Sequence, residues 1–168
     1  IKLVHCGSIS EYNLPNKNLE ILSDLCISNK HIKVLFTSSQ KKLPNYFLKF
    51  IKKSPKNIIF IGNLNNNDLV KLLEDATYGL DLRDTSQIKT SGGTDFPSKI
   101  ILYVKYDLII ISSRSFSIPY LLRKKLIPFE SIENCLDKDN IIIDNSIKEH
   151  INSNSLDKIL IKSIEAKK

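Results

Sequence analysis

The sequence predicts an α/β domain of three layers, with a mostly parallel sheet of about six strands between two layers of helices. Three observations predict it. Short apolar runs recur at residues 2–5, 32–36, 57–61, 78–82 and 107–112, with glycine, serine or charged residues closing them. Between them lie segments whose apolar residues fall at helical spacing. The stretch 77–113 reads strand, glycine loop, helix, strand. Continuously apolar strands separated by helices belong to parallel sheets covered on both faces.

The elements follow in order. Lys2 to His5 forms a strand closed by Cys6, Gly7 and Ser8, and a polar loop leads to a helix over 18–28 with Leu19, Leu22, Leu25 and Cys26 on one side. A strand over 31–38 carries Ile32, Val34, Leu35 and Phe36. Pro44 opens a helix with Tyr46, Phe47, Phe50 and Ile51 on one face, which Ser54 and Pro55 stop. After a strand over 57–61 and a turn over 62–67, Asn67 or a neighbour caps a helix with Leu69, Leu72 and Leu73 toward the core. Next come a strand over 78–82, a helix over 97–105 and a strand over 107–112. Beyond these the pattern predicts a helix over 117–125, an edge strand over 127–129, a helical turn over 131–135 and a strand over 140–143. The spacing of Leu156, Ile159, Leu160 and Ile164 predicts a closing helix from 155. The arrangement is Rossmann-like, and in such sheets ligands bind beyond the carboxyl ends of the strands.

The loop over 91–99 has its own chemistry. Gly92 and Gly93 open backbone angles denied to other residues and leave room for a ligand beside the main chain, while Pro97 suits a first helical turn. That turn offers unpaired amides, the positive end of the helix dipole, the Ser98 hydroxyl and the Lys99 ammonium, a setting for an anion. Asp95 serves either as a ligand residue or as a helix cap. Arg83 and Asp84 either pair with each other or face the site. His5 reads as a buried histidine at a strand end or as a base. The loops at Gly7 and Ser8, Ser38 and Ser39, Gly62 and Asn63, 83–96, and Ser112 and Ser113 either share one cleft or are ordinary polar connections.

The 168 residues suit one domain, 1–168, and no apolar run is long enough to span a bilayer. Cys6, Cys26 and Cys135 have neither zinc nor disulfide spacing, which points to a reducing cytoplasm. The net charge of +7 fits an anionic membrane surface, nucleic acid, or a general richness in lysine, with residues 121–126 as the local cluster noted. Aromatic and basic residues are not interleaved as in RNA modules, so no nucleic-acid partner is expected. A start on a strand without methionine leads us to expect a piece of a longer chain.

Gly7 after the opening strand, the run 57–62, the strand 78–82, and Gly93-Thr94-Asp95-Phe96-Pro97-Ser98-Lys99 leading through Tyr103 to 109–113 resemble one family. It is the C-terminal, nucleotide-sugar-binding lobe of GT-B-type glycosyltransferases of the group 1 or family 4 kind. The likeness covers roughly residues 2–145. It implies that Gly7, Ser8, Gly93, Phe96, Pro97, Ser98 and Lys99 hold the donor diphosphate, that Thr94 and Asp95 face the sugar, and that Gly62, Asn63, Leu64 and Tyr103 lie near the nucleoside. It implies a nucleotide-diphospho-sugar as substrate, no metal and no cofactor. A glycan or lipid-linked acceptor would be held by an N-terminal lobe absent from this chain, at the cytoplasmic face with peripheral membrane contact. No catalytic residue is assigned.

Two positions depart from the family's pattern. Leu102 stands where many retaining members have a glutamate for the ribose, and Ser8 where a basic residue is frequent, leaving Lys17 or Arg83 as substitutes. An epimerase of the same architecture, or an α/β interaction module that has lost the site, are the other readings.

Overall fold

A computed structural model of the chain describes residues 1–84 and 98–113, together with the backbone of 126–128. Ten elements follow in order: β1 (Lys2–Cys6), α1 (Asn16–Ser28), β2 (Lys33–Thr37), α2 (Asn45–Lys53), β3 (Ile58–Gly62), α3 (Asn66–Glu74), β4 (Tyr78–Asp81), α4 (Ser98–Lys105), β5 (Ile109–Ser112) and β6 (Leu126–Pro128). The strands form one sheet in the order β3-β2-β1-β4-β5-β6, and every neighbouring pair is parallel. The chain builds outward from β1 to β3, returns to place β4 beside β1, and builds outward the other way. This is the Rossmann-like fold that the pattern predicts, with its order reversing between β1 and β4.

Alternating side chains feed two cores. On one face Leu3, Val34, Phe36, Ile58, Tyr78, Leu80 and Ile111 meet α1 and α2. There Phe36 packs edge-on against Phe47 and Phe50, with ring centroids 5.3 and 6.3 Å apart. On the other face Val4, Cys6 and Ile110 meet Leu73 of α3 and Ile100, Tyr103 and Val104 of α4.

The deepest helix-to-sheet approach lies at β4. Leu80 and Tyr78 point toward α1 and α2, so Gly79 points the other way, under α4. A Cβ added to Gly79 would stand 2.3 Å from the Tyr103 ring. The missing side chain lets Tyr103 sink until it is fully buried. Its hydroxyl accepts from the Cys6 amide at 2.9 Å and donates to the Leu80 carbonyl at 3.2 Å, bridging β1 and β4.

Several boundaries differ from the pattern. Asn65, not Asn67, caps α3, its side chain accepting from the Asp68 amide at 2.9 Å. The last long strand begins at Ile109 because Asp107 adopts a left-handed φ of 57° in the turn that ends α4. Leu69 and Leu72 are half-buried, and Leu73 alone of that trio is fully buried. The apolar run of β3 is buried on one face only, with Ile59 and Ile61 40% and 39% exposed. It is an edge strand, and α3 and α4 gather over β1 and β5. The edge strand expected over 127–129 is β6, one residue earlier. The elements expected over 117–125, 131–135, 140–143 and from 155 lie outside the described residues. Among the described residues no helix is long and apolar enough to cross a membrane.

Two substitutions test the β4–α4 contact. Gly79→Ala should cost about 1–3 kcal/mol through overpacking. Tyr103→Phe should cost about 1–3 kcal/mol by leaving a buried amide and carbonyl without their bridge. In urea unfolding, the cost of Gly79→Ala should shrink once Tyr103 is replaced by leucine; full additivity would show that the two are not coupled.

Candidate functional site

The carboxyl ends of the strands form a rim stitched together by main-chain hydrogen bonds. The Gly7 amide donates to Thr37 at 3.1 Å, the Ser38 amide to Gly62 at 3.1 Å, and the Ser113 amide to Asp81 at 3.1 Å. Gly7 and Gly62 turn the chain with φ of 123° and 91°, angles that favour glycine. The first turn of α1 joins this rim, because the Asn18 side-chain amide donates to the Leu82 carbonyl at 3.0 Å.

At the reversal between β1 and β4 the rim carries charge. Asp81 shares the face of Gly79, two residues back, and is fully buried. Lys99 lies one helical turn before Tyr103 on the same face of α4, so the contact that seats Tyr103 also brings the Lys99 ammonium to 3.2 Å from Asp81 Oδ1. Arg83 approaches the same oxygen at 3.5 Å through Nε, and its guanidinium carbon lies 5.8 Å from the centroid of the Tyr12 ring. The side chains of Lys99 and Arg83 are each 11% exposed. The Ser112 hydroxyl stands 3.4 Å from Asp81 Oδ2, and the Ser113 hydroxyl donates to the Arg83 carbonyl at 2.6 Å. Burial lowers the Lys99 pKa, and the Asp81 carboxylate opposes that by favouring the ammonium.

His5 lies near the same end of β1 but on the opposite face of the sheet, the one that Leu3 and Phe36 share. It is fully buried beside Phe36, and neither ring nitrogen makes a hydrogen bond of normal geometry. Burial, reinforced by the Lys99 charge, holds its pKa well below the usual range against the pull of the Ser8 and Leu80 backbone. At neutral pH the imidazole is uncharged. Burial also pushes the Cys6 and Cys26 thiols up to about 11, so neither is a nucleophilic thiolate at pH 7. Among the described residues no three His, Cys, Asp or Glu side chains gather in a way that would hold a metal ion.

The structure brings some of the expected residues together. Gly7, Ser8, Arg83, Ser98 and Lys99 lie at or beside the reversal, with Gly7, Ser8 and Ser98 exposed. Lys17 is exposed on the first turn of α1. Gly62 ends β3 and Asn63 and Leu64 follow it, two strands from β1, so they stand about 10 Å along the rim. Tyr103, expected near the nucleoside, is fully buried with its hydroxyl engaged between β1 and β4. Leu102 is half-buried against the α3–α4 core. Gly93, Thr94, Asp95, Phe96 and Pro97 lie outside the described residues. The residue that sequence reasoning left without a role is Asp81, an acid closing a strand buried throughout. Such a carboxylate needs a cation, and that requirement was the available signal.

A separate open groove of about 450 Å³ runs between α1 and α2, lined by Glu20, Asp24, Tyr46, Lys49 and Lys53 among others. None of the residues around Asp81 lines it.

No family model matches the chain, and no curated protein matches its sequence. Among solved structures, a match is found to that of AviGT4, a glycosyltransferase involved in Avilamycin A biosynthesis, with 12% identity and a TM-score of 0.48, covering 66% of this chain and 32% of that one. The chain thus spans about a third of that protein's length.

The buried charges make two predictions. The unfolded chain protonates His5 near its ordinary pKa of about 6.5 while the folded chain resists, so the contribution is present above that pH and is lost as pH falls. Between pH 7 and 5 the unfolding free energy should drop with a slope approaching about 1.4 kcal/mol per pH unit from this group. His5→Leu should flatten the profile; an unchanged slope would assign the effect elsewhere. Asp81→Asn should destabilise by about 3 kcal/mol, since it takes the carboxylate away from the shielded Lys99 ammonium, while Asp81→Leu combined with Lys99→Met should recover much of the loss in chemical denaturation.

Proposed function

We propose that the chain is the donor-binding lobe of a GT-B-type sugar transferase, which holds the diphosphate of a nucleotide-diphospho-sugar at the reversal between β1 and β4. One observation carries the reading: Lys99 and Arg83 converge on Asp81 at the strand ends, beside Gly7 and the first turn of α4. That is where doubly wound sheets take ligands. One further feature supports it. The amides that open α4 add a positive dipole end to the two cations.

The chemistry follows from charge. In sugar transfer the bond between the anomeric carbon and the diphosphate oxygen breaks, and that oxygen leaves with the electron pair. The acceptor hydroxyl forms the new bond and gives its proton to a base. The charge that grows on the diphosphate needs fixed donors, and a shielded Lys99 and Arg83 held in place by Asp81 would lower its energy without reorganisation. Asp81 in this reading is a positioning residue. Glycan or lipid-linked acceptor and catalytic base belong to a second lobe, and the work is done at the cytoplasmic side of a membrane.

A second reading is favoured by Leu102 in the core and by the ion pair that Lys99 already makes within the protein. In it the chain is an interaction module that has kept the fold and lost the donor site.

Calorimetric titration with uridine and guanosine diphosphates separates the two. The donor reading predicts dissociation constants of about 1 mM or tighter for one of them, weakened at least about tenfold by Lys99→Ala and unchanged by Lys105→Ala. A folded chain that binds neither at about 10 mM would overturn the donor reading and favour the module.

A further inference from the structure

The positive charge of this chain is not spread over it. From Leu25 to Asn67 there are eight lysines and no acidic residue, and all eight are exposed. The other 125 residues carry seventeen basic and eighteen acidic side chains, so this one stretch accounts for the whole net charge of +7. A general richness in lysine would not leave the remainder neutral. In space the stretch is the β2–α2–β3 unit at the edge of the sheet, with the end of α1 leading into it.

Within that unit the charge collects at the amino ends of the strands. Lys30 and Lys33 precede or open β2, and Lys56 precedes β3, while the pairing of Val34 with Ile58 sets the two strand starts side by side. The Asn57 side-chain amide donates to Ile32 at 2.8 Å and to Cys26 at 2.9 Å, tying the end of α1 to both starts. The crossover helix α2 runs back against the strands, which returns Lys52 and Lys53 to the same rim. Its dipole accounts for a favourable lysine or two at its end, but not for the lysines on the strands. Ile27, 54% exposed on the last turn of α1, stands beside them. Asp24 lines the α1–α2 groove with Lys53 and offsets that one charge in part.

We infer that this amino rim, with Lys30, Lys33, Lys52, Lys53 and Lys56 around Ile27, is a docking surface for a bilayer rich in anionic lipid headgroups. Lysines are point charges suited to a diffuse layer of phosphate, and the exposed isoleucine gives an apolar contact at the headgroup boundary. Arginine is absent from the rim and no exposed tyrosine or phenylalanine stands there, so the bidentate and stacking contacts that read nucleic acid are missing. The rim lies at the opposite end of the strands from Asp81 and Lys99, so docking leaves the candidate site open. The inference does not depend on what that site binds.

Sedimentation of the 168-residue chain with vesicles tests it. Binding is expected to vesicles holding about 30% phosphatidylglycerol in phosphatidylcholine, to weaken steeply with salt, and to be absent on pure phosphatidylcholine. Lys52→Glu with Lys56→Glu should weaken it at least about tenfold, and Lys41→Glu with Lys42→Glu, the same change in net charge beyond the carboxyl end of β2, by much less. Ile27→Ser should weaken the part that survives salt. If the rim pair perturbs folding, Lys52→Gln with Lys56→Gln should show the same ranking. Equal binding to neutral vesicles, equal loss in the two charge-reversed pairs, or tighter binding to a short DNA duplex than to the anionic vesicles would overturn the proposal.

Discussion

The absent side chain at Gly79 is the constraint from which the centre of the molecule follows. A Cβ there would collide with the Tyr103 ring at 2.3 Å. Without it, α4 settles against β4 deeply enough for a phenolic hydroxyl to join two parallel strands that are not consecutive in the chain. One turn earlier on that helix is Lys99, and two residues later on that strand is Asp81. The packing contact and the 3.2 Å ion pair are therefore successive rungs of one ladder, glycine under tyrosine and carboxylate under ammonium. Burying such a pair is costly by itself. Here the surrounding contacts already fix where both groups must be, which lowers the entropy lost in holding them.

Much of this architecture is legible in the sequence. Apolar runs and helical spacing locate every described element to within a few residues, because both reflect burial that local periodicity records. What depends on neighbours far along the chain is not legible in that way. The one-sided burial of β3 comes from its place at the edge, which only the strand order decides. The depth to which Tyr103 sinks is not legible from its own segment, although a glycine inside a strand is itself a sign of close backbone approach. Asp81, Arg83 and Lys99 are assembled by a crossover, so no short motif contains them. The lysines of the amino rim are interrupted by β2 and α2, and each local cluster therefore looks smaller than the surface they form together. The segment 121–126, where basic residues are consecutive, draws the eye instead.

The two ends of the sheet thus carry different electrostatics. At the carboxyl rim a few shielded charges are fixed by packing, in a low-dielectric setting where their position matters more than their number. At the amino rim many charges stand in water on flexible stems, where number matters and salt screens them. A protein that meets a charged surface with one end and a small anion with the other would need this division.

The central claim is that the reversal between β1 and β4 is built to receive a diphosphate. Amide chemical-shift mapping during addition of uridine or guanosine diphosphate tests it most directly. The account predicts saturable shifts concentrated at Gly7, Ser8, Arg83, Ser98, Lys99 and Ser113. Shifts confined to the groove between α1 and α2 or to the amino rim, with these amides unmoved in the folded chain, would contradict it.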